Sequence, residues 1–100
     1  MKFFVVILRY LVDVDTILKN REDHIIFLQK YYDRGIFIVS GPQCPRTGGI
    51  ILAKTESRDR LMTILTEDPF VYRKLVEVQI YEFIPNHYHS DFTPFINRNP

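Results

Sequence analysis

The 100-residue sequence predicts a single α+β domain in which strands and helices follow one another in the order β-α-β-β-α-β. Three observations support this prediction. Short runs of β-branched and aromatic residues alternate with two longer segments whose apolar residues recur every three or four positions, and Gly or Pro residues lie at most junctions. A composition of 46% hydrophobic and 25% charged residues is typical of one globular domain.

The first half of the pattern is a strand followed by a helix. Residues 2–10 are β-branched and aromatic in a run too short for a typical helix, which predicts a buried strand. Residues 15–34 repeat their apolar positions at helical intervals, with Asp13 or Asp15 available as the N-terminal cap. Gly35 is predicted to end this helix, because glycine is common just beyond a helix C-terminus.

The second half begins with two further strands. Residues 36–39 and 50–53 are apolar and are predicted to form a β-hairpin with a long loop rich in Gly and Pro. Ser57 is placed to cap a second helix that continues to about Glu67. We expect Pro69 to end this helix, because proline disfavours helical geometry in the residue before it.

The last predicted element is a strand at residues 76–83, where polar and apolar residues alternate. Residues 85–100 contain three Pro and three Asn residues without a clear period, which predicts an irregular tail after a domain at residues 1–84. The complete order is that of a ferredoxin-like fold, in which two helices cover one face of a four-stranded antiparallel sheet.

The other face of this sheet is also predicted to be covered. In an open antiparallel sheet with one wet face, polar and apolar side chains alternate along each strand. The first three predicted strands are instead apolar over four to six consecutive residues. Because most oligomers are symmetric pairs of identical chains, we expect a homodimer whose two sheets pack face to face. The alternative is that these residues are present only because Phe and Ile favour strands.

Charge and composition argue against several other partners. Thirteen Lys and Arg residues against twelve Asp and Glu residues give a net charge near +1 with no basic run, so nucleic acid is not expected. No signal-peptide cleavage site and no apolar stretch of membrane-spanning length is visible, so no membrane partner is expected. Cys44 is the single cysteine and cannot form an internal disulfide, which favours the reducing cytoplasm.

The residues best suited to chemistry are a histidine in the first helix and an aspartate after the second. Arg21 and His24 are three residues apart and therefore share one helix surface, and imidazole exchanges protons near neutral pH. Asp68 could orient this imidazole, or bear the proton itself, if the fold brings the two together. The alternatives are a histidine on the flank of the helix that bonds to a carbonyl group or to water, and an aspartate that only marks the end of a helix.

Other polar positions are weaker candidates. Ser40 and Gly41 follow the second strand, where glycine allows a ligand to approach the backbone or merely forms a turn. Cys44 has no neighbouring base and is not favoured as a nucleophile. His87 and His89 could share a metal ion, but the sequence indicates no further ligands. No metal site and no cofactor are therefore expected.

Four short motifs, taken in order, resemble the YciI-like family, whose members carry a YCII-related domain. The likeness covers about residues 1–84 and rests on the order and spacing of the motifs together. The motifs are Arg21-Glu22-Asp23-His24, Ser40-Gly41-Pro42, Gly49 and Asp68-Pro69-Phe70. The resemblance implies a dimeric α+β barrel built from ferredoxin-like subunits, which agrees with the argument from the apolar strands.

The resemblance also implies an active site in a cleft between helix and sheet. It implies that His24 and Asp68 form the centre of this site and that Arg21, Ser40 and Gly41 line it. The activity known in the family resembles elimination or isomerisation of small acids without a metal or organic cofactor.

The leading hypothesis is therefore a cofactor-independent lyase or isomerase that acts on a small anionic organic acid. His24 would move the proton and Asp68 would orient or stabilise it, while Arg21, together with Arg46, would hold the carboxylate. The alternative is a non-catalytic dimeric module that binds a metabolite or a protein. Cofactor-free oxygen chemistry, as in other dimeric α+β barrels, ranks third because it rests on analogy of fold.

Overall fold

The structure, a computed structural model, describes residues 1–97 and contains one four-stranded antiparallel sheet. The strands are β1 (Lys2–Tyr10), β2 (Phe37–Pro42), β3 (Gly48–Thr55) and β4 (Val76–Phe83). They lie in the order β2-β3-β1-β4, and each neighbouring pair is antiparallel. This order is that of the ferredoxin-like fold, so the predicted fold class is confirmed.

In residues 1–97, five helices and one turn of 3-10 helix accompany the sheet. They are α1 (Val14–Lys19), α2 (Arg21–Asp33), α3 (Arg58–Leu65), α4 (Pro69–Tyr72), the 3-10 turn Ser90–Phe92 and α5 (Thr93–Asn97). The first predicted helix is thus divided in two at Asn20, whose side chain donates to the carbonyl of Thr16 at 2.8 Å. Asparagine side chains that bond to nearby backbone compete with helical hydrogen bonds, which explains the break.

The predicted ends of the helices are largely observed. Asp13, rather than Asp15, caps α1 by accepting from the backbone amide of Thr16 at 2.9 Å. Ser57 caps α3. Gly35 follows α2 with a φ angle of 72°, a left-handed conformation that glycine adopts without a steric penalty.

Two expectations about the second half were wrong. Helix α3 ends at Leu65, before Pro69, and Pro69 instead begins α4 with Asp68 as its N-terminal cap. Proline suits this position because its missing N–H would have no helical partner there. The tail is not irregular throughout, since residues 90–97 form the 3-10 turn and α5; residues 98–100 lie outside the described part.

The core lies between the helices and one face of the sheet. Phe4, Val6 and Leu8 alternate along β1 and are at most 2% exposed, and the helices bury Tyr31 and Ile64 against this face. Burial of this apolar face fixes α2 against the sheet. Within the described residues, no helix is both long enough and apolar enough to cross a membrane.

The opposite face of the sheet is also largely apolar, with Gln79 opposite Ile7, and it is partly exposed. We call its central part the reverse face. Its Val39 and Tyr81 side chains are 57% and 56% exposed. The reverse face consists of Val5, Ile7, Val39, Ile50, Leu52 and Tyr81, which the strand register places next to one another.

The C-terminal segment covers one end of the same side of the sheet. The ring of Phe92 lies 6.2 Å from that of Phe3, which is also 6.1 Å from Phe83. The ammonium of Lys54 donates to the carbonyl of Phe95 at 2.5 Å. The described part of this segment, up to residue 97, therefore packs on its own sheet and leaves the reverse face partly exposed.

Gly48 lies where β3 passes close to the end of β1. A Cβ atom at this position would be 2.4 Å from the backbone oxygen of Leu8 and 2.6 Å from the side-chain oxygen of Gln43. We expect Gly48→Ala to lower the free energy of unfolding by about 1–3 kcal/mol, measured by urea denaturation, because backbone must move to make room. Gly41→Ala is the control, since no described atom lies within 4 Å of a Cβ there. Equal losses in both variants would contradict the prediction.

A polar cluster joins the end of α2 to the segment after α3. The Lys30 ammonium donates to Glu67 at 2.6 Å, and the Tyr31 hydroxyl donates to the other oxygen of the same carboxylate. The hydrogen bond from Lys30, followed by that from Tyr31, lowers the pKa of the Glu67 carboxyl below its usual value. The folded protein therefore binds fewer protons at this group than the unfolded chain does.

This difference predicts how stability depends on pH. The contribution of Glu67 is complete above the pKa of the unfolded chain and is lost as the pH falls through the lower folded value. We expect the free energy of unfolding to fall more steeply below about pH 5 in the wild type than in Glu67→Gln. Urea denaturation at several pH values measures this slope. Identical pH dependence in the wild type and Glu67→Gln would show that the cluster does not contribute to the pH dependence of stability.

Candidate active site

A cavity of about 220 Å³ lies between α2 and the adjoining ends of the strands. Its apolar lining comes from β1, β2 and β3 and from the helices α1, α2 and α4. An apolar cavity of about 150 Å³ is large enough to bind benzene, so this cavity can hold a small organic molecule. Apolar and aromatic residues of the lining include Leu8, Tyr10, Ile17, Leu28, Ile51 and Phe70.

Five of the six predicted site residues line this cavity, and the sixth lies directly behind one of them. Arg21 and His24 come from α2, Ser40 and Gly41 from β2, and Arg46 from the loop between β2 and β3. The fold thus brings together residues from three separate parts of the chain. Gly41 leaves its edge of the cavity open, since no described atom lies within 4 Å of a Cβ placed there.

Asp68 is the residue behind His24. Its Oδ1 atom lies 2.8 Å from His24 Nδ1, although the two residues are 44 positions apart. The Asp68 side chain is fully buried, whereas that of His24 is 13% exposed. The same Oδ1 atom accepts from the backbone amide of Phe70 at 2.9 Å. Asp68 therefore caps α4 and holds the imidazole at the same time.

The contact with Asp68 determines which nitrogen of the His24 imidazole carries the proton and which one has a free lone pair. An ionised carboxylate can only accept hydrogen bonds, so His24 carries its proton on Nδ1 when the ring is neutral. Within residues 1–97, the Nε2 atom of His24 makes no hydrogen bond. The free lone pair of Nε2 is thus available to a molecule in the cavity.

Phe70 fixes the orientation of the imidazole. The rings of His24 and Phe70 stack with centroids 3.9 Å apart and planes inclined by 6°. Phe70 is itself 4% exposed and follows Pro69, the first residue of α4. A side chain held by packing on one face and by a hydrogen bond at one edge loses little freedom when a ligand binds.

The second carboxylate oxygen of Asp68 is buried and, among the residues that the structure describes, has no hydrogen-bond partner. Burial of a charged group is unfavourable unless donors compensate it, and here both donors bond to Oδ1. Buried polar groups that lower the stability of the fold are typical of functional sites.

Two arginines give the cavity a positive charge. In the described part of the chain, neither Arg21 nor Arg46 forms an ion pair, and the lining contains no Asp or Glu residue. Guanidinium groups form strong, often bidentate, hydrogen bonds with carboxylates. The cavity is therefore suited to a small anion.

Ser40 is linked to a residue that the sequence did not suggest. Its hydroxyl forms a hydrogen bond with the hydroxyl of Tyr32, whose ring packs edge-on against Phe37 at 6.2 Å. Tyr32 is eight residues after His24, and this helical spacing was a signal that could have identified it. Tyr10, at the end of β1, also lines the cavity and was not predicted.

Comparison with known proteins gives one family and one informative structure. The model of the YCII-related domain matches residues 1–84. A similar solved structure is that of 5-chloro-2-hydroxyhydroquinone dehydrochlorinase from Burkholderia phenoliruptrix AC1100 in complex with 2,5-dihydroxybenzoquinone, with a TM-score of 0.67 and 18% sequence identity. The match covers 81% of this chain and 93% of that chain, and at this identity it shows a shared fold. No curated protein matches the chain.

Proposed function

The chain belongs to the YCII-related domain family, and from this premise we propose that it is a cofactor-independent lyase or isomerase of a small anionic organic acid. The observation that carries the proposal is the pairing of His24 with the buried Asp68 in the wall of a cavity that two arginines make positive. The solved structure with a similar fold is named for an elimination, the removal of hydrogen chloride, which supports this class of reaction.

In the proposed reaction, His24 acts as the general base. Its Nε2 atom removes a proton from a carbon atom of the bound acid, and the electron pair of the broken C–H bond forms a new double bond. In an elimination, the leaving group departs with the electron pair of its own bond. In an isomerisation, an existing double bond of the acid shifts, and its electron pair forms a C–H bond with the proton that the imidazolium returns to another carbon. Asp68 keeps the Nδ1 proton in place and stabilises the imidazolium, as paired carboxylates do.

Arg21 and Arg46 are proposed to bind the carboxylate of the substrate. A screen of small carboxylic acids by thermal denaturation tests this role, because a ligand at a hundred times its Kd stabilises a protein by about 2.7 kcal/mol. We expect Arg21→Gln and Arg46→Gln to abolish the shift that the best acid causes. Arg34→Gln is the matched control, since Arg34 is exposed and lies outside the cavity.

Two outcomes of the screen would contradict the proposal. In the first, no acid stabilises the wild type. In the second, acids stabilise Arg21→Gln and Arg46→Gln as much as they stabilise the wild type and the control Arg34→Gln. Acids that bind with the expected dependence on arginine, but that the protein does not convert at any pH, would favour a non-catalytic binding module.

We also propose that two chains pair through the reverse face. This face is largely apolar and half exposed, and the C-terminal residues that the structure describes do not cover it. We expect a dimer at micromolar concentration by sedimentation, and a monomer for Leu52→Asp, which places a charge in the middle of the face. Ile26→Asp is the control, since Ile26 is 67% exposed on α2. A monomeric wild type would overturn this proposal.

A further inference from the structure

The side of α2 that carries His24 also carries residues that lie closer to β2. His24, Leu28 and Tyr32 follow one another at intervals of four residues and therefore share one side of the helix. His24 and Leu28 line the cavity. Tyr32 lies one turn farther along, where its hydroxyl bonds to that of Ser40, a cavity residue on β2. This side of α2 therefore contacts the cavity directly through His24 and Leu28, and indirectly through the hydrogen bond of Tyr32 with Ser40.

The pair formed by Tyr32 and Ser40 is held by rigid elements. The Tyr32 ring is half-buried and inclined by 80° to the ring of Phe37. Ser40 lies opposite Ile51 in the ladder between β2 and β3. Functional groups on helices and strands are positioned more accurately than groups on loops. The Ser40 hydroxyl is therefore fixed relative to the imidazole of His24.

The chemistry of this pair differs from that of the arginines. A serine hydroxyl has one donor and two acceptor sites, and the hydrogen bond with Tyr32 uses one of them. The remaining sites can bond to an uncharged oxygen, either by donating to a carbonyl group or by accepting from a hydroxyl group. Arg21 and Arg46, in contrast, favour a carboxylate.

We propose that the cavity binds an acid that carries a second oxygen function, a hydroxyl or carbonyl group, which Ser40 recognises. Tyr32 is a positioning residue, because it contacts the ligand only through Ser40. This inference rests on the proposed function, since it assumes that the arginines hold a carboxylate. It narrows the substrate class from small organic acids to hydroxy or oxo acids.

Benzoate and its 2-, 3- and 4-hydroxy isomers are suitable probes, because a ring fits the volume of the cavity. Dissociation constants are measured by calorimetry for the wild type, Ser40→Ala and Tyr32→Phe. Tyr31→Phe is a matched control, since Tyr31 is adjacent on α2 but bonds to Glu67 outside the cavity.

We expect at least one hydroxybenzoate to bind the wild type about three- to tenfold more tightly than benzoate does, the effect of one net hydrogen bond. Ser40→Ala should abolish this preference, Tyr32→Phe should reduce it, and Tyr31→Phe should leave it unchanged. Benzoate itself should bind equally well to all four proteins. If Tyr32 contributed only to stability, Tyr32→Phe would not change the ratio of the dissociation constants of benzoate and the hydroxybenzoate.

The inference is overturned if all four acids bind the wild type equally, or if the preference survives in Ser40→Ala. It is also overturned if none of the four acids binds. The proposed function would still stand in each of these cases if another carboxylic acid stabilised the protein in a manner that depended on Arg21 and Arg46.

Discussion

Replacing His24 with asparagine is expected to lower the turnover of any acid that the protein converts by about 10²–10⁴-fold, the usual contribution of a positioned acid or base. The side-chain amide of asparagine can donate to Asp68 from about the position of Nδ1. It has no group at the position of Nε2, the nitrogen that Asp68 leaves free. The substitution therefore removes the proposed base and retains the buried hydrogen bond.

Kinetic and thermal measurements on the same variant separate chemistry from folding. We expect kcat to fall while KM changes little, because the arginines that bind the acid are unaffected. His24→Ala should be the less stable of the two variants, since it also leaves Asp68 with one donor fewer. His87→Asn is the control for an exposed histidine outside the cavity. Full turnover by His24→Asn would show that another group moves the proton.

The order of the strands and helices could be predicted because each signal is local. The apolar run of β1, the cap at Ser57 and the left-handed Gly35 all depend on a few neighbouring residues. The ferredoxin-like order then follows, since few topologies are compatible with β-α-β-β-α-β.

The break between α1 and α2 was missed because it depends on the side chain of Asn20, which bonds both to nearby backbone and to a distant residue. Arg73 donates to Asn20 at 2.7 Å and to Asp23 at 3.0 Å, and it lies 53 and 50 positions away from them in the sequence. The role of Pro69 was ambiguous for a different reason. Proline is found both after a helix and at the first position of the next one. Packing of Phe70 under His24 favours the second arrangement.

The candidate site was predictable only as a set of residues. Residue type and family resemblance identified His24 and Asp68, but their contact depends on how α2 packs against α4 and the sheet. The stack with Phe70 and the hydrogen bond between Tyr32 and Ser40 depend on the same packing. None of these contacts is local in sequence, so no pattern of neighbouring residues could have indicated their geometry.

Replacing Asp68 with alanine is expected to lower the free energy of unfolding by about 3 kcal/mol. Loss of the cap of α4 contributes about 1 kcal/mol, and the buried donors left without an acceptor contribute about 1–3 kcal/mol more. In a domain of this size, such a loss lowers the melting temperature by roughly 12–24 °C. Ser57→Ala, which removes the cap of α3 without leaving a half-buried histidine unpaired, should lose only about 1 kcal/mol. Equal losses in these two variants would mean that the contact with His24 does not stabilise the fold.

Asp68→Asn distinguishes the charge of this side chain from its hydrogen bonds. The amide of Phe70 donates to Oδ1, so the oxygen of asparagine must remain at this position, where it can also accept from His24. Both hydrogen bonds then persist, and the variant should be more stable than Asp68→Ala. A neutral amide does not stabilise an imidazolium as a carboxylate does, so turnover should still fall. If Asp68→Asn keeps both its stability and its full turnover, Asp68 serves only to cap a helix and hold a ring, and the buried charge has no part in catalysis.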